Sequence, residues 1–425
     1  MMPKRKIQPE IITNDIISIP EIQKKNLSGI PVYLINAGDQ DIVKVDFIFN
    51  VGKTDCDNPL IPETVSSLID KGTKKLTSGE ISENLDFYGA YFETESGKHF
   101  TVITLYTLNK YFEQTFKIVN DFLFNAIFPE KETDIFLKNR FQTFLINRQK
   151  PDIISSEVFA QSLFGENHPY GRSVKKEDFN DINRENILEF YKSGYSSANL
   201  QIMFTGKITD KHVKLADKFL NEIKNGNTLK KEHDKFRLKQ ISARKKIIEM
   251  PGTVQSSLRI GKITVNKTHP DFFNLNIATV ILGGYFGSRL MTNIREDKGY
   301  TYGIYASGIS LPEAGYLVIS AESGKNVYKK AIEEIYKELK KLRSEPVAHD
   351  ELTRVKRWIF GSTVKVFDGP LSVSEAYKSL IFGNLSADYF HRYLNAVKNI
   401  TPEMILETAQ KYFDEDTLTE VVAGA

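Results

Sequence analysis

The residues best placed to do chemistry lie in one stretch, 282–302, which reads Leu-Gly-Gly-Tyr-Phe-Gly-Ser-Arg-Leu-Met-Thr-Asn-Ile-Arg-Glu-Asp-Lys-Gly-Tyr-Thr-Tyr. It offers a guanidinium at Arg295 and phenols at Tyr300 and Tyr302, on either side of Gly299. Composition alone makes Arg295 a surface cation favoured at a helix C-terminus, and Tyr302 a strand residue packing on the core. Gly283, Gly284 and Gly287 do not follow the order of a dinucleotide loop, and no Lys-Ser/Thr pair of a phosphate loop follows them. A turn that lets two backbones approach closely is the better reading.

A hydrolytic zinc needs three protein ligands and an open position for water. The seven histidines, His99, His168, His212, His233, His269, His349 and His391, never come within four positions of one another. A site rebuilt from His99 with Glu93 and Glu95 on adjacent strands is one reading; a plain surface histidine is the preferred one. The single cysteine, Cys56, excludes an internal disulfide and a multi-cysteine metal site. It lies in a polar run without a neighbouring His/Asp pair and reads as an incidental thiol.

Positioning these residues takes more than one core, because 425 residues exceed what a single compact domain holds. The composition, 41% hydrophobic and 26% charged, is that of a globular protein. A net charge of +3 spread along the chain argues against nucleic acid as a partner. Basic residues near the N-terminus precede no apolar run, so no signal peptide is expected. No apolar run approaches the ~20 residues that span a bilayer. The expectation is a cytoplasmic protein with no membrane partner.

The elements form two passes through one plan. The first half predicts strands at 30–35 and 42–50, a helix at 62–70, and a helix opened by the capping box Thr77–Glu80. A hairpin at 90–96 and 99–107 follows, then an amphipathic helix capped by Asn109 and a helix at 130–148. The second half repeats the order: strands at 247–250 and 256–263, helices at 270–282 and 287–298, a hairpin at 302–309 and 316–321, and helices at 327–342 and 350–367. Each half ends in a strand, 200–204 and 419–422. Residues 224–246 carry nine Lys/Arg against two acids and read as a solvated linker, with a basic docking patch as the lesser reading. Sheets linked by hairpins and flanked by helices predict an α+β protein with domains at 1–228 and 240–425.

The glycine turn, the helix and the Arg-Glu-x-x-Gly-x-x-Tyr order resemble the second-domain signature of insulinase-type, pitrilysin-like M16 zinc peptidases. The likeness extends along nearly the whole chain, from the strand opening at 27–34 to the last strand. It implies two homologous domains, each a roughly six-stranded, mainly antiparallel sheet with helices on one face, the LuxS/MPP-like metallohydrolase fold. The family places His-x-x-Glu-His on a first-domain helix before a Lys-Gly-Thr-like turn. Here the turn is Lys71-Gly72-Thr73, and the motif positions fall on Glu63, Ser66 and Ser67. The third ligand, a glutamate about 75 residues downstream in the family, maps to the helix around 136–149, which contains no Asp or Glu. The resemblance therefore implies no zinc in this chain.

In active relatives the second domain supplies an arginine–tyrosine pair across a clamshell cavity, and the matching positions are Arg295 and Tyr302. A phenol aimed at a tetrahedral oxyanion is typically worth ~3 kcal/mol. An arginine fork can hold a neighbouring substrate carbonyl. The leading expectation is a non-catalytic subunit of a heterodimeric M16 peptidase, whose zinc sits in a partner carrying His-x-x-Glu-His and whose substrate is a peptide or unfolded polypeptide. The alternatives are a scaffold protein of the same fold, like the core subunits of respiratory complex III, and a self-associating peptide-binding protein.

Overall fold

The computed structural model describes residues 19, 20, 22–223, 236–238 and 245–425. The segment read as a linker lies almost wholly outside the described residues, as does the N-terminal run read for a signal. The first sheet contains β1 (Gln23–Leu27), β2 (Ile30–Asn36), β3 (Ile42–Phe49), β4 (Tyr91–Ser96), β5 (Thr101–Leu108) and β6 (Leu200–Gly206), in the order β1-β2-β6-β3-β5-β4. The second contains β7 (Lys245–Ile248), β8 (Gln255–Thr264), β9 (Thr301–Ser310), β10 (Gly315–Gly324) and β11 (Thr419–Ala423), in the order β7-β11-β8-β10-β9. Without β1 the two orders superpose strand for strand. In both sheets one pair is parallel, β2 with β6 and β7 with β11, and the other pairs are antiparallel. The repeated plan is thus a repeated topology, with six strands in one half and five in the other.

The first half adds α1 (Leu60–Leu68), α2 (Ser78–Phe87), α3 (Phe112–Asn125), α4 (Glu130–Asn147), α5 (Pro151–Phe164), α6 (Arg184–Gly194) and α7 (Asp210–Asn221). The second adds α8 (Phe272–Thr279), α9 (Tyr328–Ser344), α10 (His349–Val366), α11 (Pro370–Phe382), α12 (Tyr389–Asn399) and α13 (Pro402–Tyr412). The Thr77–Glu80 capping box forms as expected. Asn109 does not cap α3; its amide donates to the Lys207 carbonyl at 2.8 Å, and a 3-10 turn over Asn109–Tyr111 precedes the helix.

Each half packs its own helices on one face of its sheet. On β3, Val43, Val45, Phe47 and Phe49 meet Phe112 and Phe116 of α3 in the first core. The other face of each sheet takes a helix from the other half. Helix α11 covers β2 and β6, where Val373, Tyr377 and Leu380 pack with Ile35, Ile48 and Met203. Helix α5 covers β8 and β11, where Phe159 and Leu163 pack with Val421. Both exchanged helices begin with proline at their first position, where the missing N–H costs nothing.

The exchange buries charge. Asp46, on the far face of β3, lies 3.2 Å from both Lys44 and Lys378 of α11 and accepts from the Thr104 hydroxyl at 2.7 Å. Burial opposes the charge on Lys44, but Asp46 and Glu375 outweigh it and hold that lysine above its ordinary value. Buried ions are tolerated when they are paired and hydrogen-bonded in this way.

Candidate functional site

The helix that would carry the first two zinc ligands is α1, and the helix that would carry the third is α4. They are in contact. The Glu63 carboxylate, at the first ligand position, pairs with the Arg140 guanidinium of α4 and lies 3.4 Å from the Lys53 ammonium. Burial opposes ionisation of Glu63, but the Arg140 hydrogen bond and the charges of Lys53 and Arg140 hold it below the usual carboxylate value. Ser66, at the position of the general base, is buried and donates to the Glu63 carbonyl at 3.3 Å. Ser67 is half-buried on the same helix.

Zinc does not fit these residues. Two hydroxyls and one carboxylate already satisfied by two cations make no zinc donor set. Arg140 brings a fixed positive charge toward the space a metal would share with Glu63. Among the described residues no group of three or more His, Cys, Asp or Glu side chains could hold a metal ion. Arg140 was not singled out from sequence. The signal was present: an acid at a ligand position needs a counter-charge, and the facing helix carries cations without acids from residue 136 onward.

His99 is neither a surface residue nor a ligand with Glu93 and Glu95. It is buried, its Nε2 lies 2.6 Å from the Tyr170 hydroxyl, and its ring packs on Phe236. Tyr170 also accepts from the Glu313 backbone N–H at 3.2 Å, so this contact joins the two halves. Cys56 is half-buried, and burial pushes its thiol up, away from the thiolate a nucleophile needs.

The 282–302 stretch folds as two π-helical turns, Val280–Gly284 and Met291–Asp297, followed by β9. The glycines serve packing. A Cβ on Gly283 would lie 2.5 Å from the Ala306 nitrogen of β9, so only glycine lets the helix approach the strand this closely. Gly299 has φ +66, and the backbone N–H groups of Lys298, Gly299 and Tyr300 close the turn onto Asn293, Arg295 and Ile294. Two side-chain clamps fix the Arg295 segment. Arg289 binds Glu351 with two hydrogen bonds of 2.9 Å, and the Asn293 amide donates to Glu334 and Glu338 of α9 at 3.2 and 2.8 Å.

Arg295 stacks over the exposed Phe286 ring at 4.7 Å and pairs with Glu296 at 3.0 Å. Tyr302 is 91% exposed, whereas Tyr300 packs against the second core. The cause is a change of register. Between the pairs Ile304–Ala321 and Thr301–Ser323, two residues of β9, Tyr302 and Gly303, face one residue of β10. This β-bulge breaks the alternation that carries Ile304 and Ala306 into the core, and turns Tyr302 outward. The strand is the edge of its sheet. Among the described residues no hydrogen bond joins Arg295 to Tyr302; the two flank the Gly299 turn at one end of β9.

Two duplicated sheet-and-helix halves, with an ion pair at Glu63 in the first and an outward-turned tyrosine in the second, define an α+β protein of repeated topology. Residues 181–358 match the family model described as the peptidase M16 inactive domain. An uncharacterized zinc protease, YmxG, of Bacillus subtilis is 24% identical over 352 residues, covering 81% of this chain and 84% of that protein. A Helicobacter pylori protein described as a non-peptidase homolog is 20% identical over 305 residues, covering 70% of this chain and 68% of its own. The crystal structure of a peptidase M16 inactive domain from Pseudomonas fluorescens superposes with a TM-score of 0.85 at 20% identity, covering 95% of this chain and 98% of that one. Over most of its length the chain is similar to M16-family proteins, and the positions matching their zinc motif hold no zinc donor set. Among the described residues no helix is long and apolar enough to cross a membrane.

Proposed function

We propose that this chain is the zinc-free subunit of an M16 peptidase assembly, closing a chamber with a sister chain that carries His-x-x-Glu-His. In this reading Arg295 and Tyr302 face the sister's metal centre. Arg295 holds a carbonyl of an extended peptide substrate, and the Tyr302 O–H donates to the oxygen that becomes negative at the scissile bond. The observation that carries the reading is the bulge at Tyr302. A 91% exposed tyrosine contributes little to the core, yet the strand departs from regular pairing to present it beside Arg295. Bulges recur next to active sites because they re-aim side chains. The Arg289 and Asn293 clamps support the reading, since a binding group needs a rigid base.

The test is cleavage of a quenched peptide by this chain, by a zinc-motif sister chain, and by the mixture. Activity confined to the mixture and removed by a chelator is the expected result. Tyr302→Phe in the mixture is then expected to lower kcat by about 100-fold or more, while leaving the urea midpoint of this chain unchanged. Full activity from the sister alone would make this chain a scaffold, the second reading.

A further inference from the structure

The two halves also meet around a cavity of about 280 Å3 at the end of β9 remote from Tyr302. The β4–β5 turn contributes Lys98 and Phe100, the segment after β8 contributes Lys267, the β9–β10 turn contributes Leu311, and α11 contributes Phe382. Phe100 and Phe382 stack across the seam with ring centroids 4.6 Å apart.

Lys98 and Lys267 bring the positive charge to this lining. Neither Nζ has a hydrogen-bond or ion-pair partner among the described residues. Each has only a distant ring contact at 5.9 Å, Lys98 to Tyr170 and Lys267 to Tyr389. Lys98 is exposed at the cavity mouth and Lys267 half-buried; neighbouring protein lowers both pKa values, and the Lys53 charge adds to the effect at Lys98. Glu95, the carboxylate in the lining, pairs with neither. Two ammonium groups without a counter-ion on the wall of one cavity gain from an incoming anion through charge-assisted hydrogen bonds. Apolar walls with a few convergent polar groups are the general form of a small-molecule site.

We propose that this seam cavity binds a small carboxylate bearing an apolar side chain, its carboxylate held by Lys98 and Lys267 and its side chain against Phe100 and Phe382. A free acid and the last residue of a peptide both have this chemistry. Because the walls come from both halves, the bound acid also braces the seam. The site is independent of the Arg295–Tyr302 reading, and its test needs no sister chain.

The experiment is titration calorimetry on the full chain with N-acetylphenylalanine, its amide, and a tetra-alanyl-phenylalanine peptide. The acid is expected to bind about tenfold or more tightly than the uncharged amide. Lys98→Met with Lys267→Met brings the acid down to the amide's affinity, and arginine at both positions restores it. A peptide that binds more tightly than the acid identifies a chain terminus as the ligand, and the reverse identifies a free acid; both uphold the site. Should the double variant fail to fold, Lys98→Gln at the exposed lysine gives the same readout. Equal affinity for acid and amide, no binding of the acid, or undiminished binding in the lysine variants overturns the proposal.

Discussion

Replacing Arg140 by methionine leaves the Glu63 carboxylate of α1 with only Lys53 for a partner. The cost follows from burial. A fully exposed pair is worth ~0–1 kcal/mol, and stripping one partner from a fully buried pair costs ~3–5 kcal/mol. Both side chains here are 21% exposed, and Lys53 stays within 3.4 Å of the carboxylate. The expected loss at pH 7 is therefore about 1–2 kcal/mol, between the exposed and the buried values.

Urea unfolding of wild type, Arg140→Met, Glu63→Gln and the double variant isolates the pair as a coupling energy. Its pH dependence has a definite sign. The folded-state pKa of Glu63 is lowered from 4.5, so the contribution is fully present above that value and is lost as pH falls through the folded pKa. The coupling should hold from pH 7 to about pH 5 and shrink below 4.5. A coupling below about 0.3 kcal/mol at pH 7, or one that persists unchanged into strong acid, would refute the idea that the Arg140–Glu63 ion pair holds α1 to α4.

Other perturbations probe the remaining features. Gly283→Ala drives a methyl against Ala306 and should cost about 1–3 kcal/mol, lowering the urea midpoint and loosening β9, which hydrogen exchange at Ile304 and Ala306 would register. Asp46→Ala leaves Lys44 and Lys378 between the halves with only Glu375 as an acid partner and should cost about 1–3 kcal/mol, less than a fully stripped buried pair; the expected sign is a single unfolding transition splitting in two, and an unaltered midpoint would contradict it. Cys56 should react with a disulfide reagent more slowly than a free thiol at pH 8, because burial raises its pKa; a rate matching glutathione would count against the buried setting.

The duplication was legible because each element leaves a local mark. Alternation marked β3, the capping box opened α2, and hairpin turns separated β4 from β5 and β9 from β10. The absence of a His-x-x-Glu-His pattern was equally local, since a motif is a set of residue types at a fixed spacing, and Glu63, Ser66 and Ser67 do not fit it. Helices α5 and α11 escaped notice. Their partners lie in the opposite half, so their apolar residues serve a surface that no local period announces. For the same reason β3 carries Lys44 and Asp46 on a face that is fully buried, a placement that makes sense only once α11 brings Lys378 and Glu375 to it.

The amino-acid sequence by itself determined the repeated sheet-and-helix plan, the missing metal donors and the seven-residue spacing from Arg295 to Tyr302, all properties of the chain read locally. Tertiary structure alone decided that Arg140 answers Glu63, that Tyr302 rather than Tyr300 turns outward, and that Lys98 and Lys267 share a cavity between the halves. Those outcomes depend on which surfaces meet: an ion pair across two helices, a bulge set by the pairing of β9 with β10, and a seam closed by exchanged helices.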